Sequence, residues 1–450
     1  MFQRVKRGFL RHFTSTGQEQ EDDVARRKIS VQRLKAPAAA CGDCGSTNNA
    51  VTKKATALPE EDSLFSEAAL RELLRQDPVP LDELCSLCRR GCPPAFRCEV
   101  WGYLTGNLQP FASSRATVLA RKRQEYVGYV QSSYSAIDWN AAFKAADDAS
   151  NLNSSCSRER VGRGGNSALS SHSERQGQPI VSANYAGESE LLMLKQIRKD
   201  VPRMSAGVAY LHHNRVMLSI ERILYIWSLR HPACGYVQGL NDLVIPFISV
   251  VLASRFCPSK TVSELHELTE NELNALFSSL VVSEEEWNST IEADTYWMFS
   301  YLLNSVQENY TYNQKGIYSM VEKLEAVAKA VDAKLYKHLS ENLQISFSQF
   351  AFRWMNCMLL RELNATQSLR LWDVYLADQE KDWCTTHVYV CAALLVWWSP
   401  ALCKENDYGV AMKFLQNLPT EEISDKDISV LISQGIVMQK LYNNTLSHLA

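Results

Sequence analysis

Apolar residues recur at the spacing of α-helices from Ser189 to about Leu418, almost without interruption. Few stretches alternate apolar and polar residues as a half-buried β-strand requires. The sequence therefore predicts an all-α fold. The segments with the clearest helical spacing are 263–276, 288–309, 316–337, 347–363, 366–377 and 385–398.

Composition is that of a globular protein. The 450 residues have room for two or three domains, and 46% are apolar and 22% charged. A net charge of −3 gives no reason to expect a nucleic-acid partner. The longest apolar runs, Leu243–Ala253 and Val388–Trp398, are 11 residues each, too short to span a membrane. We expect both to be buried core helices.

Changes in composition predict the domain boundaries. Residues 1–60 contain few aromatics and are predicted to be a disordered basic region. The helical domain is predicted over 61–420. Residues 147–188 are rich in Ser, Asn, Gly and Arg and are interpreted as a low-complexity loop inserted in that domain. A helical C-terminal tail over 421–450 is expected to pack on the domain.

The N-terminal segment 1–36 carries nine Lys and Arg against four Asp and Glu, with apolar residues interleaved among its first 16 residues. Three interpretations remain open: an amphipathic helix on a membrane surface, a mitochondrial presequence, or a basic tail with no specific role. An anionic membrane surface is the partner to test.

Thirteen cysteines without a secretory signal favour a reducing, cytosolic compartment. The pairs Cys41-x2-Cys44 and Cys85-x2-Cys88 have the spacing of zinc ligands, but about 40 residues separate them. Reduced thiols are the favoured interpretation, and we predict no metal site. The pair His212-His213 lacks nearby carboxylates and is predicted to lie at the surface or to cap a helix.

Motifs of self-contained catalysis are missing from the sequence. It has no phosphate-binding G-x-x-x-x-G-K-[ST] loop, no G-x-G-x-x-G after a strand, no H-E-x-x-H and no G-x-S-x-G. We therefore predict neither a nucleotide cofactor nor independent hydrolase activity.

One arginine and one glutamine stand out by their positions. Asp200 is predicted as a helix N-cap, and Val201 as extended because it precedes Pro202. Arg203 would then lie in the first turn of a helix. The next helix has its apolar face at Val216, Ile220, Ile223, Leu224 and Trp227.

Pro232 is expected to end that helix, since it lacks an amide donor. Gly235 and Gly239 then allow a sharp turn around Gln238. Two interpretations remain open from spacing alone. A guanidinium and an amide can catalyse phosphoryl transfer, one neutralising charge and the other orienting water. Alternatively, Arg203 pairs with Asp200 or a surface carboxylate and Gln238 caps a turn.

Ordered blocks of this sequence resemble the TBC-domain GTPase-activating proteins that act on Rab GTPases. The first block, Gly91–Gly106, resembles G-x-P-x-x-x-R-x-x-x-W-x-x-L-x-G, with Cys92 where a larger aliphatic residue is usual. The other matching residues are Ile197-x-x-Asp200-x-x-Arg203, Tyr236-Val237-Gln238-Gly239-Leu240-Asn241-Asp242, Ser346-Phe347, Phe352-Arg353-Trp354, Arg361-Glu362 and Leu371-Trp372-Asp373. The resemblance spans about residues 85–420. Three further segments resemble the subgroup of TBC domain family member twenty-two and its yeast Golgi relative: Glu292–Trp297, Asn309–Thr311 and Phe414–Thr420.

The resemblance implies a multi-helix domain of two helical subdomains that supplies catalytic residues to a GTP-bound Rab protein. Arg203 and Gln238 would be the catalytic residues, and the partner would hold GTP and Mg²⁺. The expected location is cytoplasmic and peripheral to endomembranes, including the Golgi. The alternative is a catalytically silent scaffold that binds Rab proteins. Supporting roles are implied for Asp200, Tyr236, Asn241 and Asp242, and structural roles for Arg97, Trp101, Arg353, Trp354 and Asp373.

Overall fold

The computed structural model describes residues 61–144 and 187–446, apart from residues 206, 257, 259, 281, 312 and 381. All regular structure in these ranges is helical, which confirms the predicted all-α class. The predicted region 1–60 and all but the last two residues of the predicted loop 147–188 lie outside the described residues. The described residues belong to one compact unit with one hydrophobic core.

The described α-helices are numbered in chain order. In the first half they are α1 Glu61–Leu74, α2 Leu81–Cys88, α3 Pro94–Leu104, α4 Ala112–Val130, α5 Glu188–Asp200, α6 Asn214–Arg230, α7 Leu240–Leu243, α8 Ile245–Phe256, α9 Val262–His266 and α10 Glu270–Ser279. The second half contains α11 Glu284–Trp287, α12 Ala293–Ser305, α13 Lys315–Val331, α14 Ala333–Lys337, α15 Ser348–Asn356, α16 Ala365–Leu376, α17 Trp383–Leu402, α18 Tyr408–Gln416 and α19 Asp425–Leu446. The shorter 3-10 turns are Val201–Arg203, Ala209–His212, Gln307–Tyr310 and Thr420–Glu422, and the π-helical turns are Gln131–Ser135, Asn288–Glu292 and His338–Asn342.

Aromatic side chains join helices that are distant in sequence. Phe247 of α8 lies between Trp101 of α3 and Trp372 of α16, with ring centroids 5.7 and 5.4 Å apart and edge-to-face geometry. All three side chains are fully buried. Such contacts add to the free energy of burying large rings. They join α3 and α16 through α8.

Helix α6 has the predicted amphipathic pattern. Its five predicted apolar positions are all fully buried. It ends at Arg230, before Pro232, as the missing amide donor of proline requires. The glutamine segment therefore starts from a rigid helix.

Helix α17 is the one described helix long and apolar enough to cross a membrane by length and composition. Of the predicted core segment Val388–Trp398, residues 388–395 are buried and residues 396–398 are partly buried. Helix α19 packs along it at close range. A Cβ atom added at Gly435 would lie 3.0 Å from backbone atoms of Val390, so the absence of a side chain permits this approach.

Four of the six predicted helices are interrupted. The segment 316–337 divides at Asp332, and within 288–309 the α-helix ends at Ser305. The other two are 347–363 and 263–276. The segment predicted as helix over 347–363 is helical only to Asn356, because Met358 and Leu359 have φ angles of 48° and 59°. The segment 263–276 divides into α9 and α10, since Thr269 and Glu272 form a capping box that starts a new helix. Apolar spacing continues through the interruptions in 347–363 and 263–276 and does not show them.

Candidate catalytic surface

Helix α5 brings Arg203 to the surface. Leu194 and Ile197 of this helix are fully buried, and Val201, which follows it, is buried as well. These apolar contacts hold the end of α5 and the 3-10 turn Val201–Arg203 against the core. Arg203 is the last residue of that turn and is exposed. Its position is therefore set by the buried residues that precede it.

The predicted local geometry before Arg203 is wrong in two respects. Asp200 is the last residue of α5, and its side chain caps no helix. Val201 has helical angles, φ −56° and ψ −47°, although it precedes Pro202. Burial of Val201 in the core outweighs the steric preference for extended geometry. Pro202 fits because it lies in the first turn of the 3-10 segment.

The carboxylate of Asp200 contacts groups other than Arg203. It is buried, and its Oδ2 accepts hydrogen bonds from Gln196 Nε2 at 2.9 Å and from the Tyr236 hydroxyl at 3.1 Å. Among the described residues, Arg203 makes no hydrogen bond or ion pair. The interpretation in which Arg203 pairs with Asp200 is therefore not observed. The guanidinium faces solvent and is free to contact another molecule.

Gln238 lies in the loop that joins α6 to α7. Gly235 and Gly239 have φ angles of 62° and 110°, a region that residues with a side chain rarely adopt. The Gln238 side chain is exposed and has no hydrogen-bond partner within the described ranges. Its backbone carbonyl accepts a hydrogen bond from Asn356 Nδ2 at 3.0 Å. The amide side chain therefore caps no turn here.

Tyr236 connects the arginine segment to the glutamine loop. Its hydroxyl lies 3.1 Å from Asp200 Oδ2 and 3.3 Å from Asn241 Oδ1. Burial raises the pKa of Tyr236, and the negative charge of Asp200 raises it further. The hydroxyl therefore keeps its proton and donates it to one of these two acceptors. A single side chain thus ties the two exposed residues to a common support.

Asn241 and Asp242 lie beneath the glutamine loop, 2% and 3% exposed. Asn241 Oδ1 accepts a hydrogen bond from the backbone N–H of Gly239 at 3.1 Å. Asp242 Oδ2 pairs with the guanidinium of Arg361 at 2.8 Å. Both residues therefore support the loop from the protein interior and are shielded from a molecule bound at its surface.

Asp373 accepts hydrogen bonds from three residues of the first motif block. Its Oδ1 accepts from Arg97 Nε at 3.0 Å and from Trp101 Nε1 at 2.8 Å. Its Oδ2 accepts from Arg97 Nη2 at 3.1 Å and from the Cys92 backbone N–H at 2.9 Å. Burial pulls the pKa of Arg97 down, but the charge and hydrogen bonds of Asp373 outweigh it, so the pKa is raised. These residues join α3 to α16 and lie in the protein interior.

Arg353 and Trp354 also have neighbours that indicate packing. Arg353 Nε pairs with Oε1 of the buried Glu362 at 2.7 Å. Trp354 is fully buried, with its ring 5.1 Å from that of Phe350, and its carbonyl lies 3.0 Å from His387 Nε2. Both side chains are therefore held by contacts within the fold.

One group in the described part of the chain has the composition of a metal site. The ligand atoms of Cys88, Cys92 and Asp373 lie within 4.8 Å of one another. Both carboxylate oxygens of Asp373 already accept two hydrogen bonds each, two of them from the cationic Arg97. The hydrogen bond that the Cys88 thiol donates to Cys92, together with burial, raises the pKa of Cys88 well above its ordinary value. The Cys88 thiol therefore keeps its proton, which disfavours a cation. The predicted pair Cys41 and Cys44 lies outside the described residues.

The histidine pair confirms the capping prediction. His213 is the N-cap of α6, and its Nδ1 accepts from the Arg215 backbone N–H at 3.3 Å. Its ring stacks on Phe277 with centroids 4.1 Å apart.

Asn356 is the residue near Gln238 that the sequence analysis missed. It is 8% exposed and ends α15. It stands alone as a polar residue in the apolar run Trp354–Leu360. A buried polar residue in such a run needs a hydrogen-bond partner, and this signal was available from the sequence.

Comparison with known proteins agrees with this geometry. The Rab-GTPase-TBC domain family model matches residues 165–403, a range that includes Arg203 and Gln238. GTPase-activating protein gyp1 of Schizosaccharomyces pombe is 34% identical over 371 residues, which are 82% of this chain and 60% of that protein. TBC1 domain family member 22A of Macaca fascicularis is 31% identical over 446 residues, 99% of this chain and 76% of the relative. The chain thus spans less than two thirds of the fission-yeast protein.

A solved structure shows the same fold. The crystal structure of the Ypt/Rab-GAP domain of Gyp1p aligns with a TM-score of 0.67 and 30% sequence identity. The alignment covers 84% of this chain and 99% of that one. The predicted subgroup is confirmed by these relatives. The chain therefore belongs to the Rab-GTPase-TBC domain family, close to TBC1 domain family member 22A and to gyp1.

Proposed function

We propose that this protein is a GTPase-activating protein for Rab-family GTPases and that Arg203 and Gln238 are its catalytic residues. One observation carries the assignment of the site. Two exposed side chains without partners in the described structure, Arg203 and Gln238, lie on segments joined by the Tyr236–Asp200 hydrogen bond. Its relatives include a GTPase-activating protein and a Ypt/Rab-GAP domain, which supports the activity.

Arg203 supplies positive charge to the transferred phosphoryl group. Charge spreads over the equatorial oxygens of that group in the transition state, and a guanidinium can bind two of them at once. An arginine provided by an activating protein is worth about 10³–10⁵ in rate. Because Arg203 makes no hydrogen bond or ion pair in the described structure, it breaks none when it enters the nucleotide site.

Gln238 orients the attacking water. Its carboxamide has an acceptor for a water proton and donors for the γ-phosphate or a backbone carbonyl of the partner. The loop holds this side chain outward on a buried support. The nucleotide and its Mg²⁺ belong to the partner GTPase, in agreement with the missing phosphate-binding motif in this sequence.

The test is single-turnover GTP hydrolysis by a panel of GTP-loaded Rab proteins. We expect the protein to accelerate one or a few of them. Arg203→Ala should remove about 10³-fold or more of the stimulated rate. Arg203→Lys should restore little of it, since an ammonium lacks the planar fork. Gln238→Ala should also lose most of the stimulation.

Lys199→Ala is the matched control, since this exposed cation lies one turn before Arg203. It should keep the stimulated rate. Full activity in both Arg203→Ala and Gln238→Ala would refute the assignment of catalysis to these residues. Binding of GTP-loaded Rab without acceleration would instead establish the silent scaffold.

We place the protein in the cytoplasm, peripheral to endomembranes of the Golgi region, with the basic segment 1–36 as its membrane contact. The excess of five positive charges in that segment supports an anionic lipid surface. Sedimentation with vesicles containing phosphatidylserine should recover the full chain and lose it on deletion of residues 1–36. Equal sedimentation of both proteins would leave the segment without this role.

A further inference from the structure

The peptide group between Gln238 and Gly239 is hydrogen-bonded at both ends. Its C=O accepts from Asn356 Nδ2 at 3.0 Å, and its N–H donates to Asn241 Oδ1 at 3.1 Å. A peptide group is planar, so two such bonds fix its rotation about the chain. This rotation sets ψ of Gln238 and φ of Gly239.

Asn356 also lies against the face of Gly239. A Cβ atom at residue 239 would lie 2.2 Å from Asn356 Nδ2. The glycine at 239, with φ of 110°, thus allows both the turn and the close approach of this side chain. Asn356 therefore occupies the space that a side chain at residue 239 would fill.

The carboxamide of Asn356 is itself held in one orientation. Its Oδ1 accepts from Gln314 Nε2 at 3.3 Å, so its Nδ2 must face the Gln238 carbonyl. The backbone carbonyl of Asn356 accepts from the buried Tyr310 hydroxyl at 2.8 Å. Gln314 lies in a left-handed conformation at the start of α13, φ 45°. Asn356 is thus held by Gln314 at its side chain and by Tyr310 at its backbone, while its Nδ2 contacts Gln238.

We propose that Asn356 is a positioning residue for catalysis, which keeps the 238–239 peptide from flipping and so holds the Gln238 side chain toward the partner's nucleotide. This inference rests on the proposed function of Gln238. Asn356 acts through the backbone of the loop and does not itself reach the nucleotide. Gln314 has the same role one step removed, because it orients the Asn356 carboxamide.

Kinetics of two variants measure the effect. Asn356→Ala removes the hydrogen bond to the Gln238 carbonyl together with the one from Gln314. It should lower the stimulated kcat about ten-fold, with KM for GTP-loaded Rab nearly unchanged. Asn356→Asp should be worse, because a carboxylate oxygen would face the Gln238 carbonyl and favour the flipped peptide. Asn309→Ala is the matched control. It removes an equally buried amide whose Nδ2 faces Met320 Sδ and Cys384 Sγ, and it should keep kcat.

A double-mutant cycle separates positioning from general stability. If Asn356 acts through Gln238, then Asn356→Ala should have no further effect on the residual rate of Gln238→Ala. An equal loss of rate in both backgrounds would assign Asn356 to the fold alone and overturn the proposal.

Hydrogen exchange tests, without any GTPase, whether Asn356 restrains the 238–239 peptide. Asn356→Ala should speed amide exchange in peptides covering 235–242, and Asn309→Ala should not. Unchanged exchange in this loop would overturn the proposal, whatever the activity. If the wild-type protein stimulates no Rab but Asn356→Ala still speeds exchange in the loop, the proposed function is refuted while the restraint of the loop by Asn356 stands.

Discussion

Asp373→Asn tests whether the first motif block holds the fold together. The substitution keeps size and shape but replaces one oxygen by an NH₂ group. Each oxygen of Asp373 accepts two hydrogen bonds: Oδ1 from Arg97 and Trp101, and Oδ2 from Arg97 and Cys92. In either orientation of the new amide, its NH₂ group faces two hydrogen-bond donors and cannot accept from them.

The magnitude follows from burial. Asp373 is fully buried, and the Arg97 side chain is 11% exposed. Removing one partner of a buried ion pair costs about 3–5 kcal/mol, because the other charge stays buried and uncompensated. We expect a loss of that size in the free energy of unfolding, measured by urea unfolding followed through tryptophan fluorescence.

The control is Asp407→Asn. Asp407 is exposed and caps α18 through the Val410 N–H at 2.9 Å, a task that asparagine performs equally well. It should change stability by less than about 0.5 kcal/mol. A cost below about 1 kcal/mol for Asp373→Asn would refute the buried-charge argument. A catalytic rate lost while Asp373→Asn remains folded would refute a purely structural role.

Three further predictions concern the loop and the core. Tyr236→Phe removes the link to Asp200 and should lower the stimulated rate about ten-fold in single-turnover assays, with a small change in stability. Gly239→Ala should remove most stimulation, since a methyl group meets Asn356 at 2.2 Å and φ is 110°. Burial lowers the pKa of His387 from 6.5 to about 4. Between pH 6.5 and about pH 4 the unfolded chain binds a proton at His387 that the folded chain excludes, so the free energy of unfolding falls by about 1.4 kcal/mol per pH unit as the pH drops. Above pH 6.5 His387 costs no stability, and below about pH 4 its cost stays constant. His387→Gln should flatten this acid loss in pH-dependent urea unfolding.

A specific result would contradict each of these three predictions. A wild-type rate in Tyr236→Phe would show that the two segments hold their places without the shared hydroxyl. Normal activity in Gly239→Ala would mean that the loop relaxes around the added methyl group. If the free energy of unfolding falls as steeply with acid in His387→Gln as in the wild type, another group titrates in this pH range.

Much of the fold was predictable because helical periodicity is a local signal. The buried face of α6 and its end before Pro232 follow from residue spacing and the chemistry of proline. The helix ends at Asn356 and around Thr269 were missed, since backbone turns and capping boxes interrupt a helix without interrupting its apolar spacing. Val201 was misassigned because local steric preference yields to burial.

The sequence by itself determined the all-α class, the family and the two residues offered for catalysis, since each depends on residue type and short-range spacing. Only the tertiary structure decided that Asp200 turns away from Arg203 to Tyr236, and that Asn356 reaches the Gln238 carbonyl across 118 residues of chain. The physical reason is that a hydrogen bond depends on a few ångströms in space. That distance is set by how helices pack, and no pattern within one segment contains it.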